Sequence, residues 1–311
     1  MQEIQSKRFA TGLILAIVGS IAFSGKAIIV KLAYRYGVDA VTLIMYRMLF
    51  ALPIFAVMAW WASRGKEALT RNDWLGVLGL GFTGYYLASY LDFAGLAYIS
   101  AALERLILYL NPTLVLLLGW FLYQKRMSSL QIWAMALSYA GILLVFGHEI
   151  NLQTINNSDT ALGAILVFGS AVSYAIYLSY SGEMVKKLGS MRLVGLATTA
   201  ACLLCIAQFL ILRPIGAMAV APQVIWLSIL NATLCTAVPV LAVMMAIERI
   251  GAPLTAQTGM IGPMSTILMG VFILGEPLNL WIIAGTVLVL AGVYMVSRSR
   301  PVMASSTANM P

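Results

Sequence analysis

Apolar residues in this chain fall in long runs instead of alternating or forming narrow stripes. The runs lie at about 9–32, 41–62, 74–97, 102–123, 130–147, 161–181, 193–212, 223–247, 252–274 and 279–297. Each approaches the ~20 residues that a helix needs to cross a bilayer, and the connections are too short for a soluble domain. The pattern predicts an all-α membrane protein of ten transmembrane helices. Composition agrees: 61% of the 311 residues are hydrophobic and 10% are charged, against about 25% charged in a soluble domain. Lipid must therefore be the main solvent, and the 26 glycines suit close helix packing within it. The first run is too long for a signal-peptide core and has no small-residue cleavage site, so it is expected to remain as the first span. Residues 299–311 read as a flexible cytoplasmic tail.

Basic residues give the orientation. Lys7, Arg8, Arg64, Lys66, Arg71, Lys125, Arg126, Lys186, Lys187, Arg192, Arg249, Arg298 and Arg300 collect on one side of the predicted layout. The other side receives Lys31, Arg35 and Arg213, plus Arg105 if it is counted at a helix mouth. This asymmetry puts both termini in the cytoplasm and requires an even number of spans; a bacterial inner membrane is the expected location. The net charge of +8 is spread between spans instead of gathered into a stripe, so no nucleic-acid partner is expected.

Comparing the chain with itself reveals a repeat. A shift of 151 residues lays GLILAIVGSIAFS over GAILVFGSAVSYA, matching Gly12 with Gly163, Ile14 with Ile165 and Leu15 with Leu166. The same shift matches Pro112 with Pro263, Gly119 with Gly270, Ala140 with Ala291 and Gly141 with Gly292. One residue of slippage pairs Trp74-Leu75 with Trp226-Leu227. Agreement without gaps at both ends of the repeat argues against chance apolar similarity. Two units follow, 1–147 and 161–298, joined by a polar periplasmic connector at 148–160. Each holds five spans, an odd number, so the second is expected to be inverted relative to the first. Inverted repeats characterise many secondary transporters, whose substrate site lies near the midplane where the repeats meet.

Several segments resemble the EamA type of the drug/metabolite transporter superfamily. ILGEPLNLWIIAGTVLVLAGVYMV is similar to that family's closing signature, Leu-Gly-Glu followed by an apolar helix ending in Ala-Gly-Val. Its partner, YQKRMSSLQIWAMALSYAGILLVF, keeps the Ala-Gly ending but has Gln124-Lys125 in place of Gly-Glu. FSGKAIIVK at Phe23–Lys31 resembles the first-helix motif, with Phe23 where Trp is usual and Lys26 where a neutral residue is common. Arg47 in LIMYRMLFAL matches the second-helix arginine, and AALERLILYLNPTLVLLL resembles the fourth-helix pattern around its proline. The resemblance covers nearly the whole chain. It implies a ten-helix carrier, usually an exporter of amino acids or related metabolites. The family also handles nucleotide-linked compounds, vitamins and cationic drugs, so the resemblance does not name the substrate.

A charge inside a bilayer costs roughly 2.5–3.5 kcal/mol on insertion scales, which makes each one a functional candidate. The first half contains Lys26, Arg47, Asp92, Glu104 and Arg105. All lie within about 10 Å of the periplasmic ends of their helices at 1.5 Å per residue, in one layer across four spans. The matching positions Tyr177, Thr198, Val243, Thr255 and Ala256 carry no charge. In a functional reading, Lys26 and Arg47 attract a substrate carboxylate or phosphate, while Asp92 or Glu104 accepts an amino group or a coupling proton. In a structural reading, the five form a buried ion-pair network, and Lys26 could also snorkel to the interface. Glu104 and Arg105 suit structure or gating as well as proton coupling.

Neighbours at helical spacing extend the candidate site. Tyr85 and Ser89 share a face with Asp92, Tyr109 follows Arg105 by four residues, and Tyr174 and Tyr177 lie three apart. Such aromatics could contact a substrate or simply pack. Pro112 and Pro263 occupy matching places and Pro239 interrupts the eighth span; prolines free backbone carbonyls and kink helices. Asn111 and Asn231 lie near these breaks, and Asn231 is deep enough to need a polar partner. Cys202 and Cys205 form a C-x-x-C inside an apolar run with no third ligand nearby, which favours packing over a metal. His148, the only histidine, falls in the connector as a solvated loop residue. No Walker motif is present. The expectation is therefore a carrier without cofactor, with lipid, a small-molecule substrate and candidate coupling protons as partners. A proton-coupled exporter of cationic drugs and a membrane-embedded enzyme are the alternatives.

Overall fold

A computed structural model describes residues 2–123, 128–152, 157–250, 255, 258–259 and 261–298. Among them all regular structure is helical. In chain order the helices are α1 (Gln2–Tyr34), α2 (Ala40–Ser63), α3 (Arg71–Gly81), α4 (Ala88–Leu96), α5 (Ala101–Leu108), α6 (Asn111–Tyr123) and α7 (Ser129–Leu152). They continue with α8 (Asn157–Leu188), α9 (Ser190–Leu212), α10 (Pro222–Ala232), α11 (Val238–Ile250), α12 (Ile261–Met269) and α13 (Leu280–Arg298).

Local chemistry sets the helix starts. Asp39 accepts the Val41 and Thr42 amides at 2.9 and 3.2 Å and begins α2. Thr70 and Asp73 form a reciprocal capping box on α3, and the Ser100 hydroxyl accepts the Leu103 amide at 3.0 Å to begin α5. Such caps satisfy amides that the first helical turn leaves unpaired.

Among the described residues, seven stretches are long and apolar enough to cross a membrane: Phe9–Tyr34, Ala40–Ser63, Ala101–Phe121, Ser129–His148, Ser158–Gly182, Ser190–Leu212 and Pro222–Val243. Two shorter apolar helices, Ile261–Leu274 and Leu280–Met295, follow. Large apolar side chains face outward, with Phe272 at 83% and Ile211 at 79% exposure. That arrangement is costly in water and neutral in lipid.

Several predicted spans carry a local irregularity within a helix that continues through it. In the run at 74–97, α3 continues into α4 through a π-helical turn at Phe82–Leu87. The run at 102–123 breaks at Tyr109 and Leu110, between α5 and α6. A second π turn, Thr233–Ala237, joins α10 to α11, and a third, Gly270–Leu274, closes α12. Gly275, at φ +74°, then turns the chain in a left-handed conformation that suits glycine.

Polar contacts identify two ends of the bundle. At one, Lys31 donates to the Ile99 carbonyl at 2.6 Å, Arg35 to the Leu274 carbonyl at 2.7 Å, and Arg213 pairs with Asp39 at 3.4 Å. At the other, Lys187 meets Asp73 at 2.6 Å, and Arg192 donates to Ser63 Oγ and to the Glu67 carbonyl. Helix α1 finishes at the first end, while Gly12, about 33 Å back along it, packs on Arg249 and Ile250. Helix α8 does the reverse: Gly163 packs on Tyr98 and Ile99, and Lys187 lies at the second end. The two helices run in opposite directions.

Close packing depends on small residues, as expected where lipid supplies no hydrophobic drive. A Cβ on Gly141 would lie 2.7 Å from the Gly285 carbonyl oxygen, and one on Gly285 would lie 2.6 Å from that of Gly141. Helices α7 and α13 therefore meet backbone to backbone. Cys202 and Cys205 are buried in α9, with Cys202 Sγ 3.7 Å from Met48 Sδ.

The connector requires a correction. Helix α7 runs on to Leu152 and α8 begins at Asn157, so His148 is helical, not in a loop. Its ring stacks on Trp281 at 5.8 Å. Residues 148–152 contain no Gly or Pro to stop the helix, and Trp281 gives it a surface to pack on. Residues 153–156, the basic pair Lys125 and Arg126, and the tail at 299–311 lie outside the described residues.

Candidate functional site

Residues from both halves of the chain enclose a cavity of about 520 Å³, within the range typical of small-molecule sites. Lys26, Arg47, Tyr85, Ser89, Asp92, Arg105, Tyr109 and Pro112 line it from the first half. Tyr174, Thr236 and Val293 are among those lining it from the second. The π turn at 82–87 carries Tyr85 into the wall; Gly84 within it leaves no room for a side chain against the Tyr177 ring.

The five intramembrane charges are all buried, and four form a chain of contacts. Lys26 Nζ lies 2.5 Å from Asp92 Oδ2 and 3.5 Å from Glu104 Oε1. Arg105 Nε lies 4.0 Å from Glu104 Oε2 and donates to Thr266 Oγ1 at 2.9 Å, while Nη2 donates to the Phe23 carbonyl at 3.2 Å. The Phe23 ring faces both cations, 5.5 Å from Lys26 Nζ and 5.2 Å from the Arg105 guanidinium. Arg105, in the second turn of α5, is 2% exposed.

Arg47 stands apart. Its Nε and Nη2 donate to Thr236 Oγ1 at 3.2 and 3.1 Å, and its guanidinium lies 5.2 Å from the Phe93 ring. It makes no salt bridge among the described residues, and its Nη1 has no hydrogen-bond partner. Thr236 belongs to the π turn before Pro239, and its own hydroxyl donates a hydrogen bond to the Asn231 carbonyl at 2.8 Å. Proline at 239 has no amide to offer Cys235, and the widened turn accommodates that loss.

Tyr177, Asn231 and Glu104 stand behind the wall. Tyr177 contacts Tyr85, hydroxyl to hydroxyl at 3.2 Å, and stacks on Tyr174 at 5.4 Å. Asn231 reaches the site through Thr236, and its own Oδ1 is buried without a partner. Glu104 is fully buried behind Lys26. Pro112 opens α6 directly after the break, and Pro263 lies in the first turn of α12, following residues that are only partly described.

Sequence reasoning missed Thr236 and Thr266, the hydroxyls that hold the two arginines. Their depth was a signal, since polar groups well inside apolar spans need partners. It also missed Glu276, which accepts the Ala101 amide at 3.0 Å and pairs with Lys31 at 3.6 Å. Glu276 thereby holds the start of α5, the short helix that carries Glu104 and Arg105.

Apolar helices around a cavity into which buried charged side chains project define a polytopic membrane protein. The chain belongs to the EamA-like transporter family, whose sequence model matches it twice, at residues 10–147 and again 151 residues later at 161–298. It is 31% identical to the uncharacterized transporter YcbK of Bacillus subtilis (strain 168) over 287 residues, covering 89% of this chain and 90% of that protein. It is 27% identical to the uncharacterized transporter YyaM of the same organism, over 75% of this chain and 76% of that one. A solved crystal structure, 16% identical, matches with a TM-score of 0.60 over 93% of this chain and 97% of its own; that likeness concerns the fold alone. The protein is a membrane transporter of the EamA, drug/metabolite transporter type.

Proposed function

We propose that this transporter is a secondary carrier that exports small polar metabolites, amino acids in particular, across a bacterial inner membrane by alternating access. In this reading it has ten spans in two five-helix repeats, 1–147 and 161–298, threaded in opposite directions with both termini cytoplasmic. The doubled family match and the opposite courses of α1 and α8 support that arrangement. The segment formed by α3, the π turn and α4 supplies the third span of the first repeat, and α12 contributes to the fourth of the second.

The observation that carries the functional reading is the charge in the cavity region: three buried cations, Lys26, Arg47 and Arg105, beside two buried carboxylates, Asp92 and Glu104. Both signs at one depth suit a substrate bearing both, and the cationic excess suits one with an anionic group. Asp92 and Glu104 are the candidates for proton coupling. The aromatic wall of Phe23, Tyr85 and Tyr174 favours a second reading, a proton-coupled exporter of cationic drugs, against which the three cations weigh.

Counterflow in proteoliposomes tests the carrier. Uptake of labelled amino acid should saturate and accelerate when unlabelled amino acid is loaded inside. Chemical conversion of the substrate would instead indicate an enzyme, and flux confined to organic cations would favour the drug reading. Topology has its own test: cysteines replacing Lys66 and Gly216 should label from opposite sides of the membrane, and same-side labelling would remove the inverted arrangement.

A further inference from the structure

The cavity lies unevenly between the two ends of the bundle. Its charged layer is near the end that carries Lys31, since Asp92 stands about 6 Å before the end of α4. From there the lining runs inward to Tyr174, about 25 Å along α8, and to Val240, about 27 Å past the start of α10. Between the charged layer and the Lys31 end, one carboxylate from the second half ties two helices of the first. Glu276 accepts the Ala101 amide at 3.0 Å and lies 3.6 Å from Lys31 Nζ, which also donates to the Ile99 carbonyl. Lys31 is about 7.5 Å beyond Lys26 along α1, and Ala101 opens the helix that carries Glu104 and Arg105. A solute moving outward from the charged layer meets this contact. Lys31 and Glu276 are only half-buried, so their pair is weak enough to open and close, unlike the buried pairs of Lys26.

We propose that Glu276 is the latch of the periplasmic exit, and that its carboxylate must release Lys31 and the Ala101 amide before the cavity opens to that side. This rests on the carrier reading and the topology given with it. Glu276 is absent from the cavity lining, so it is a positioning residue that sets the balance between two states of the carrier. The repeat supplies no counterpart at the other end. The shift of 151 residues lays Glu276 over Lys125, which cannot accept an amide, and Lys31 over Gly182, which carries no charge. The ties at the cytoplasmic end, Lys187 to Asp73 and Arg192 to Ser63, come from residues outside the cavity lining. A latch at one end only biases the resting carrier toward the state closed to the periplasm, the state in which an exporter loads.

Thiol accessibility tests the latch and needs no substrate. Reporter cysteines replace, one at a time in the full chain, Ala101, fully buried at the latch, and Val240, on the inward part of the lining. An impermeant maleimide is applied from the periplasmic side for Ala101→Cys and from the cytoplasmic side for Val240→Cys; the native Cys202, Cys205 and Cys235 are buried. Adding Glu276→Gln should speed labelling of Ala101→Cys roughly three- to tenfold, as expected for losing one half-buried charge pair and the charge on one hydrogen bond. Labelling of Val240→Cys should stay level or fall. Lys31→Met leaves the amide contact in place and should give a smaller rise at Ala101→Cys; it decides the matter if Glu276→Gln does not fold. A rise at both reporters would mean general loosening and overturn the latch, as would unchanged labelling of Ala101→Cys. If Ala101→Cys alone responds while the unaltered protein shows no amino-acid counterflow, the latch stands and the amino-acid reading falls. Labelling of Ala101→Cys from the cytoplasmic side alone would overturn the topology and the latch together.

Discussion

Replacing Lys26 by methionine removes the cation on which two buried carboxylates depend. Its Nζ lies 2.5 Å from Asp92 and 3.5 Å from Glu104, with side-chain exposures of 8%, 2% and 0%. At an effective dielectric of about 20, these contacts represent about 7 and about 5 kcal/mol of attraction. Desolvation of each ion consumes several kcal/mol of that. What survives matters most when one partner is lost, because breaking a buried pair costs about 3–5 kcal/mol. Lys26→Met leaves Asp92 and Glu104 as like charges with Arg105, 4.0 Å from Glu104, as the cation in salt-bridge range. Asp92→Asn is milder, since Lys26 keeps Glu104 and the carboxylates no longer repel. The double variant Lys26→Met/Asp92→Asn removes the pair as a unit and should recover most of the loss of Lys26→Met, because replacing a whole buried pair is often neutral. Thermal unfolding in detergent, followed by tryptophan fluorescence, should therefore rank Lys26→Met lowest and Asp92→Asn above it. Equal melting of Lys26→Met and the parent, or a double variant as unstable as the two single losses combined, would refute the reasoning.

Three further outcomes follow from the geometry. Glu104→Gln should keep amino-acid exchange but lose acceleration by an imposed pH gradient; unchanged gradient response would exclude Glu104 as the proton site. Lys187, and then Thr70, hold the Asp73 carboxyl down at about 2 from its ordinary 3.8. A value lower in the folded state means that the stabilisation is present above pH 3.8 and is lost as pH falls through about 2. Acid unfolding of Asp73→Asn should lack that contribution, and an unchanged acid profile would count against the pair. Finally, Gly141→Ala and Gly285→Ala would each press a methyl against a backbone carbonyl and should destabilise by about 1–3 kcal/mol. Gly147→Ala and Gly182→Ala meet open space and should stabilise their helices by roughly 0.5–1 kcal/mol; the reverse order in thermal melts would show that α7 and α13 do not pack as described.

Much of this protein is written along the chain. Apolar runs of membrane length specify helices because lipid forces every backbone amide and carbonyl to pair within its own segment. The repeat, the signature residues and the rarity of intramembrane charge mark Lys26, Arg47 and Asp92 for a cavity before any contact is known. Tertiary structure decided the rest. Hydropathy gives depth but not the rotation of a helix about its axis, so it could not assign Lys26 to Asp92, Arg47 to Thr236 or Arg105 to Thr266. It also could not place Glu104 behind the wall or Tyr177 behind Tyr85. The π turns at 82–87 and 270–274 contain no proline to announce them; a widened turn adds one residue without changing composition, and neighbours such as Tyr177 against Gly84 decide whether it persists. His148 shows the same limit, since a polar residue after an apolar run reads as loop until a partner such as Trp281 extends the helix. Span and depth are properties of one segment in lipid, whereas pairing and open valence belong to segments meeting, and only the packed bundle determines them.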